Sequence, residues 1–396
     1  SYIVANKWMR ANYGLALRRW LREQCIEEII DFGDLPVFLG ATTYPCIIRI
    51  VRRPPQSSFQ ATQVKTLGFN DLCEYVNENS YKVKRLTVDD SGWSLADEAT
   101  QALLDKLKGK GVPLGEYVGG KIYRGILTGL NEAFVIDAQT RERLIAEDPK
   151  SEELIKPFLA GRDIKRYRQP KSDKHVILMP RGWTKEKSSN ARDTLGWLKG
   201  NYPSVANHLL PFALAAGKRY DKGEYWWELR ACDYYDEFEK PKIMLPDISN
   251  RGNFMLDENG SVYSANTTYI ISSSDKYLIG LLNSSLMDFY YRNLTAVFRG
   301  GYLRFFTQYL SQLPIRHLID DATLANNHEL ARHDRMVSLV DRMLALHKQL
   351  QEGHTPHDET ALQRQIEATD RQIDALVYEL YALTEDEKKI VEDSTK

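Results

Sequence analysis

The sequence predicts an α+β protein in three parts: a partial α/β sheet, a mixed α+β domain and a C-terminal helical hairpin. Its 396 residues are enough for two or three domains. Short β-branched runs alternate with helically spaced apolar residues through the first four-fifths of the chain, and two long apolar stripes fill the remainder. With 43% hydrophobic, 27% charged and 11% aromatic residues, the composition excludes a disordered or collagen-like chain.

Residues 1–60 read as β-α-β-β. Tyr2 to Ala5 is a short apolar run, and Leu17, Trp20 and Leu21 share one face of a helix expected over Asn12 to Gln24. Ile26 to Phe32 and Cys46 to Val51 are rich in β-branched residues, with Gly33, Pro36 and Gly40 between them. Residues 61–115 follow the breaker Pro54-Pro55 and are expected to be a linker with some secondary structure. Residues 116–315 form the mixed domain. Strand-like runs at His175 to Met179, Lys242 to Pro246 and Thr267 to Ile271 are interspersed there with helical stretches such as Asp275 to Asn293.

Residues 316–396 form the hairpin. Met336, Leu339, Val340, Met343, Leu346 and Leu350 make one apolar stripe; Leu362, Ile366, Thr369, Ile373, Leu376 and Leu380 make the other. Gly353 stops the first helix and Thr355-Pro356 starts the second. Thr384 and Glu387 form a capping box for a short last helix.

Charge is balanced overall, with 53 Lys/Arg against 54 Asp/Glu, so the whole chain carries no basic signature for nucleic acid. Locally it is uneven. Gly161 to Arg230 holds 15 Lys/Arg against 7 Asp/Glu, whereas Arg316 to Lys396 holds 10 against 17. A cationic middle suits a phosphate backbone, and it equally describes a solvated lysine-rich surface. The four cysteines, Cys25, Cys46, Cys73 and Cys232, lie far apart without a C-x-x-C, which argues against a zinc knuckle or a disulfide framework. No apolar stretch reaches membrane-span length and no signal peptide is legible, so a cytoplasmic protein is expected.

The usual catalytic constellations are missing. Gly109-Lys-Gly111 follows a helix-like stretch instead of a strand and reads as a loop. Pro246-Asp247 lacks the Glu-x-Lys of a metal-dependent nuclease, which makes Asp247 a turn residue, and no metal is assigned. Tyr225-Trp226-Trp227, beside Arg219, Lys222 and Arg230, is either a base-stacking platform or buried packing. In Arg299-Gly-Gly-Tyr302-Leu-Arg304 the glycines permit close approach to a phosphate and the arginines suit a guanine edge; a solvated turn is the alternative. Around Arg124, Thr128 and Asn131 either reach phosphates or an adenine edge, or shape a turn.

These segments carry a resemblance. Arg124 to Ile136, Ile155 to Tyr167, Lys240 to Ile248, Gly280 to Tyr290, Gly301 to Ile315 and Val377 to Glu385 resemble the specificity region of type IIG restriction-modification enzymes, shared with TaqI-like adenine-N6 DNA methyltransferases. Tyr2 to Gly14 resembles the strand and loop that follow the catalytic motif in this family. The resemblance implies that residues 1–60 are the end of a Rossmann-like methyltransferase domain, contributing three strands and exposing the edge that normally pairs with the rest. That edge would permit a dimer. It also implies that Phe38 packs on a flipped adenine, since an extruded base needs a flat apolar wall.

The departures are equally informative. The glycine-bearing first strand that binds S-adenosylmethionine and the Asn-Pro-Pro-Tyr that positions the adenine amino group do not occur here. The chain alone is therefore expected to bind no cofactor and to catalyse nothing. S-adenosylmethionine, with Mg for cleavage, belongs to the full-length enzyme, whose N-terminal methyltransferase or nuclease half is expected in cis or in trans. Residues 116–315 are expected to read double-stranded DNA through Arg124, Thr128, Asn131, Arg162, Lys165, Arg166, Arg168, Arg251, Arg299, Tyr302 and Arg304, most of them contacting phosphates. The alternatives are a specificity subunit that docks onto a separate methyltransferase through its acidic hairpin, and an intact methyltransferase with an unrecognised site.

Overall fold

The β-branched run Cys25–Asp31 forms the centre of a five-stranded sheet, because both of its faces are apolar enough to be covered. In the computed structural model, which describes all residues except 42, 91, 190, 296–299, 319–326, 354 and 396, the strands are β1 (Tyr2–Ala5), β2 (Cys25–Asp31), β3 (Pro45–Val51), β4 (Ser58–Gln63) and β5 (Tyr81–Lys84). Their order is β1-β3-β2-β4-β5. Only the β2/β4 pair is parallel. Ile29, Cys46, Ala61 and Trp93 are buried in its core.

Two expectations are corrected here. The segment 61–115 is no linker, because β4 ends and β5 lies wholly within it and both complete the first sheet, which has five strands, not three. The helix expected over Asn12 to Gln24 covers only Leu15–Arg22, preceded by a 3-10 turn at Asn12–Gly14. Gly14 is obligatory at that turn, since an added Cβ would lie 2.0 Å from the Trp8 carbonyl oxygen. The outer strand β1 leaves Tyr2 and Ile3 exposed, while the opposite edge, β5, carries exposed Lys82 and Lys84.

The second unit contains β6 (Val112–Pro113), β7 (Ile122–Arg124), β8 (Val135–Asp137), β9 (Ile155–Leu159), β10 (Lys174–Ile177) and β11 (Lys242–Pro246). It continues with β12 (Ile248–Ser249), β13 (Met255–Asp257), β14 (Tyr263–Ser264), β15 (Thr268–Ile271), β16 (Leu303–Arg304) and β17 (Pro314–Ile315). Two four-stranded sheets result, β14-β9-β10-β8 and β13-β11-β15-β7, with the small pairs β12-β16 and β17-β6. The β17/β6 pair ties the end of this unit to its beginning. The stretch Asp275 to Asn293 splits into two helices, Lys276–Leu282 and Ser285–Leu294, because Ser284 caps the second through the Met287 amide.

Helices Asn327–Gln351 and Pro356–Leu380 pair along the predicted stripes, burying Met336, Val340, Met343 and Leu346 against Leu362, Ile366, Ile373 and Leu376. Arg332 near the start of the first reaches Glu379 near the end of the second (2.8 Å), so the two run antiparallel. The Thr384/Glu387 box forms, with Thr384 N–H donating to Glu387 and Glu387 N–H to Thr384. The pair shares one core with helices Lys276–Leu282 and Ser285–Leu294; an alanine at Gly280 would press on Met336 and Val340. No helix among the described residues is long and apolar enough to cross a membrane, and the four cysteines are free thiols.

Candidate nucleic-acid interface

Strand β11 is buried along its whole length and delivers Asp247 to the end of its sheet. The chain is pinned on both sides of that residue: Asp247 N–H donates to the Thr267 carbonyl (2.8 Å) and the Asp247 carbonyl accepts from Phe305 N–H (2.9 Å). Its carboxylate is only 5% exposed as a residue, yet two arginines from distant segments converge on it. Arg304 Nη2 donates to Oδ2 at 2.8 Å, and Arg124 Nη2 stands 3.8 Å from the same oxygen. Each guanidinium also lies over an aromatic ring, Arg304 above Phe306 at 4.4 Å and Arg124 above Tyr269 at 6.0 Å. Arg124 Nε donates to the Asn266 carbonyl at 2.9 Å.

Beside this group opens a cleft of about 680 Å³, lined among others by Asn131, Arg162, Lys174, Asp247, Ile248 and Asn266. Gly125 and Gly161 allow its walls to close up: a Cβ at Gly125 would lie 1.9 Å from the Ala265 carbonyl oxygen, and one at Gly161 2.6 Å from that of Thr267. Ile248 is 55% exposed beside Arg304, its partner in the β12/β16 pair.

The predicted residues separate into three groups. Arg124, Asn131, Arg162 and Arg304 gather around the cleft or the Asp247 carboxylate, and Lys165 and Arg168 are exposed on the segment that follows Arg162. Tyr302 is half-exposed after Gly300 and Gly301, whose φ of +85° and +78° make glycine necessary there. Phe38 is half-exposed in the loop between β2 and β3. Arg299 lies outside the described residues.

Two residues, Thr128 and Arg166, are committed elsewhere, which corrects their expected role as DNA contacts. Thr128 is buried; its hydroxyl donates to Asn131 Oδ1 (2.5 Å), and its carbonyl accepts from Arg219, so it shapes the turn. Arg166 makes a bidentate pair with Asp370 of the hairpin (3.0 and 2.7 Å) and donates to the Asn283 carbonyl at 2.6 Å. Arg251 is partly buried, and burial, then the Arg166 charge, pushes its pKa down, while its place among the expected DNA contacts stays a proposal.

The aromatic cluster also resolves as packing. Trp227 is buried, stacked on Tyr225 (4.9 Å, 7°) and edge-on to Trp226, with Nε1 donating to Thr184 (2.9 Å). Arg219 beside it is a buried brace for the carbonyls of Ala216, Trp226 and Glu228.

Sequence reasoning missed Asp247 as an organising group, as well as Lys174 and Ile248. For Asp247 the available signal was its place directly after the apolar strand ending at Pro246, which points a carboxylate at a sheet end instead of into solvent.

Residues 156–315 match the model of the TaqI-like C-terminal specificity domain, and residues 1–38 that of the Eco57I restriction-modification methylase. Over those two stretches the chain is similar to TaqI-like specificity domains and to restriction-modification methylases. Among individual proteins, it is 24% identical over 348 residues to the type II methyltransferase M.PaeR7I of Pseudomonas aeruginosa, covering 81% of this chain and 56% of that protein. It is also 24% identical over 338 residues to the type II methyltransferase M.XhoI of Xanthomonas vasicola, covering 80% of this chain and 58% of that one. The chain therefore spans little more than half the length of these relatives. In fold it is similar to the type IIL restriction-modification enzyme MmeI, solved in complex with DNA, with a TM-score of 0.54, 12% identity, and 96% of this chain aligned to 46% of that one.

Proposed function

We propose that this chain is the DNA-reading portion of a type II restriction-modification enzyme that methylates adenine N6, with the specificity domain facing a short double-stranded sequence. The observation that carries this reading is the coincidence of the matched region, residues 156–315, with a cleft bordered by Arg162 and Lys174 and adjoining Arg304. Cations at the rim neutralise phosphates and release counterions, and polar groups inside reach base edges. Lys165 and Arg168 are further exposed cations on the segment that follows Arg162. Phe38 is half-exposed, which leaves its ring available to stack on an extruded adenine in this reading.

The residues of the first sheet do not fit S-adenosylmethionine. Strands β1 to β5 contain no glycine, and Gly14, the nearest to β1, is closed against the Trp8 backbone instead of lining a cradle. Methyl-donor binding and, for cleavage, Mg therefore belong in this proposal to the part of such enzymes that this chain does not span. The exposed β1 edge, with Tyr2 and Ile3, is the surface on which that part would continue the sheet.

Titration of the full chain with labelled duplexes at low and moderate salt tests the reading. Binding that weakens steeply with salt, and adenine methylation only after the missing half is added in trans, is the expected result. A folded chain that binds no duplex in dilute salt, or that methylates DNA alone, overturns it.

A further inference from the structure

The Asp247 group combines features that a plain surface ion pair lacks. The carboxylate is buried, its Oδ1 has no hydrogen-bond partner among the described residues, and its Oδ2 is shared by two arginines from segments far apart in the chain. Both arginines nevertheless face solvent, with side chains 33% and 49% exposed for Arg304 and Arg124. A guanidinium has five N–H donors; Arg304 spends one Nη2 donor on Asp247 and has its Nε buried, and Arg124 spends its Nε on the Asn266 carbonyl, so the remaining Nη donors of each are what a ligand could meet.

We infer that Arg304 and Arg124 form a guanine-reading site, with Asp247 as the positioning residue that holds both forks before DNA arrives. This rests on the proposal that the chain reads duplex DNA. Guanine offers two adjacent acceptors, O6 and N7, on its major-groove edge, and a planar fork held in one orientation matches that pair. Without Asp247 the two cations would repel each other and sample many rotamers, losing the preorganisation that discriminates one base edge from another. The aromatic faces of Phe306 and Tyr269 restrict the same two side chains from behind. Ile248 and Tyr302, both about half-exposed, stand near enough in sequence to Asp247 and Arg304 to give a neighbouring base pair an apolar contact.

The test is enrichment of duplexes from a pool with a randomised centre, using the full chain. The wild type selects guanine at one or more fixed positions, and replacing that guanine with 7-deazaguanine weakens binding about tenfold, the worth of a lost acceptor in a bidentate contact. Asp247→Asn and Arg304→Ala lose the guanine preference at the same position, so that 7-deazaguanine no longer matters, and Asp247→Glu restores part of it. Arg304→Lys keeps the charge without the fork and loses the preference too; it decides the matter if Asp247→Asn fails to fold, as judged by thermal melting. Enrichment without guanine, indifference of the wild type to 7-deazaguanine, or full preference retained by Arg304→Lys or by folded Asp247→Asn would overturn the inference. A chain that binds no duplex fails the functional reading instead, whereas one that binds without regard to guanine fails only this one.

Discussion

Arg166 and Arg162 lie four residues apart and have different work, set entirely by what each side chain meets. Arg166 is held by Asp370 and is only 15% exposed as a side chain, so Arg166→Ala strands a partly buried carboxylate. It should lower the unfolding free energy by about 3 kcal/mol in denaturant titration. His347, stacked on the buried Tyr167 ring at 6.2 Å, has its pKa lowered from 6.5 to about 4, by burial first and then by the charges of Arg166 and Arg168, against a weaker opposing pull from Asp370. A folded-state pKa below the unfolded value means that the unfolded chain binds the proton first. The stability contributed by neutral His347 is complete above about pH 6.5 and is lost as the pH falls toward 4, on the order of 3 kcal/mol in all. Melting curves across that window should fall less steeply for His347→Phe, which keeps a ring and removes the titration. An identical slope in both proteins would show that other groups set the acid limit.

Among the elements, the last helix, Glu385–Thr395, shows how a local signal becomes a tertiary joint. Glu387 serves the capping box and at the same time accepts from Lys106 at 2.6 Å, tying the helix to residues 98–110. Thr384→Ala removes the side-chain half of the box and should cost about 1 kcal/mol in chemical denaturation. The two long helices follow the apolar spacing because each stripe finds the other and helices Lys276–Leu282 and Ser285–Leu294. Strands β4 and β5 were illegible for a physical reason. The four residues Tyr81-Lys-Val-Lys84 bury only Val83, and the mixed polar run Ser58–Gln63 becomes a strand because β2 offers it a parallel edge.

For the whole molecule, a net charge of -1 gives little long-range attraction to DNA, so in the proposed function binding rests on the local cations Arg162 and Lys174 at the cleft. Removing the exposed Arg162, 74% exposed as a side chain, should weaken all duplexes alike and reduce the slope of log affinity against log salt by about 1. A slope unchanged in that titration would place the phosphates elsewhere. The sequence by itself determined the α+β class, the β-branched strands, the antiparallel helices with their caps, and the resemblance to a DNA-specificity region, because period, capping chemistry and motif order are local properties. Only the tertiary structure decided that Thr128 and Arg166 turn inward, that Trp227 is core, and that Asp247 gathers Arg124 and Arg304. Those outcomes depend on contacts such as the one between Asp247 and Arg304, 57 residues apart, where the fold sets whether a charge meets solvent or a partner.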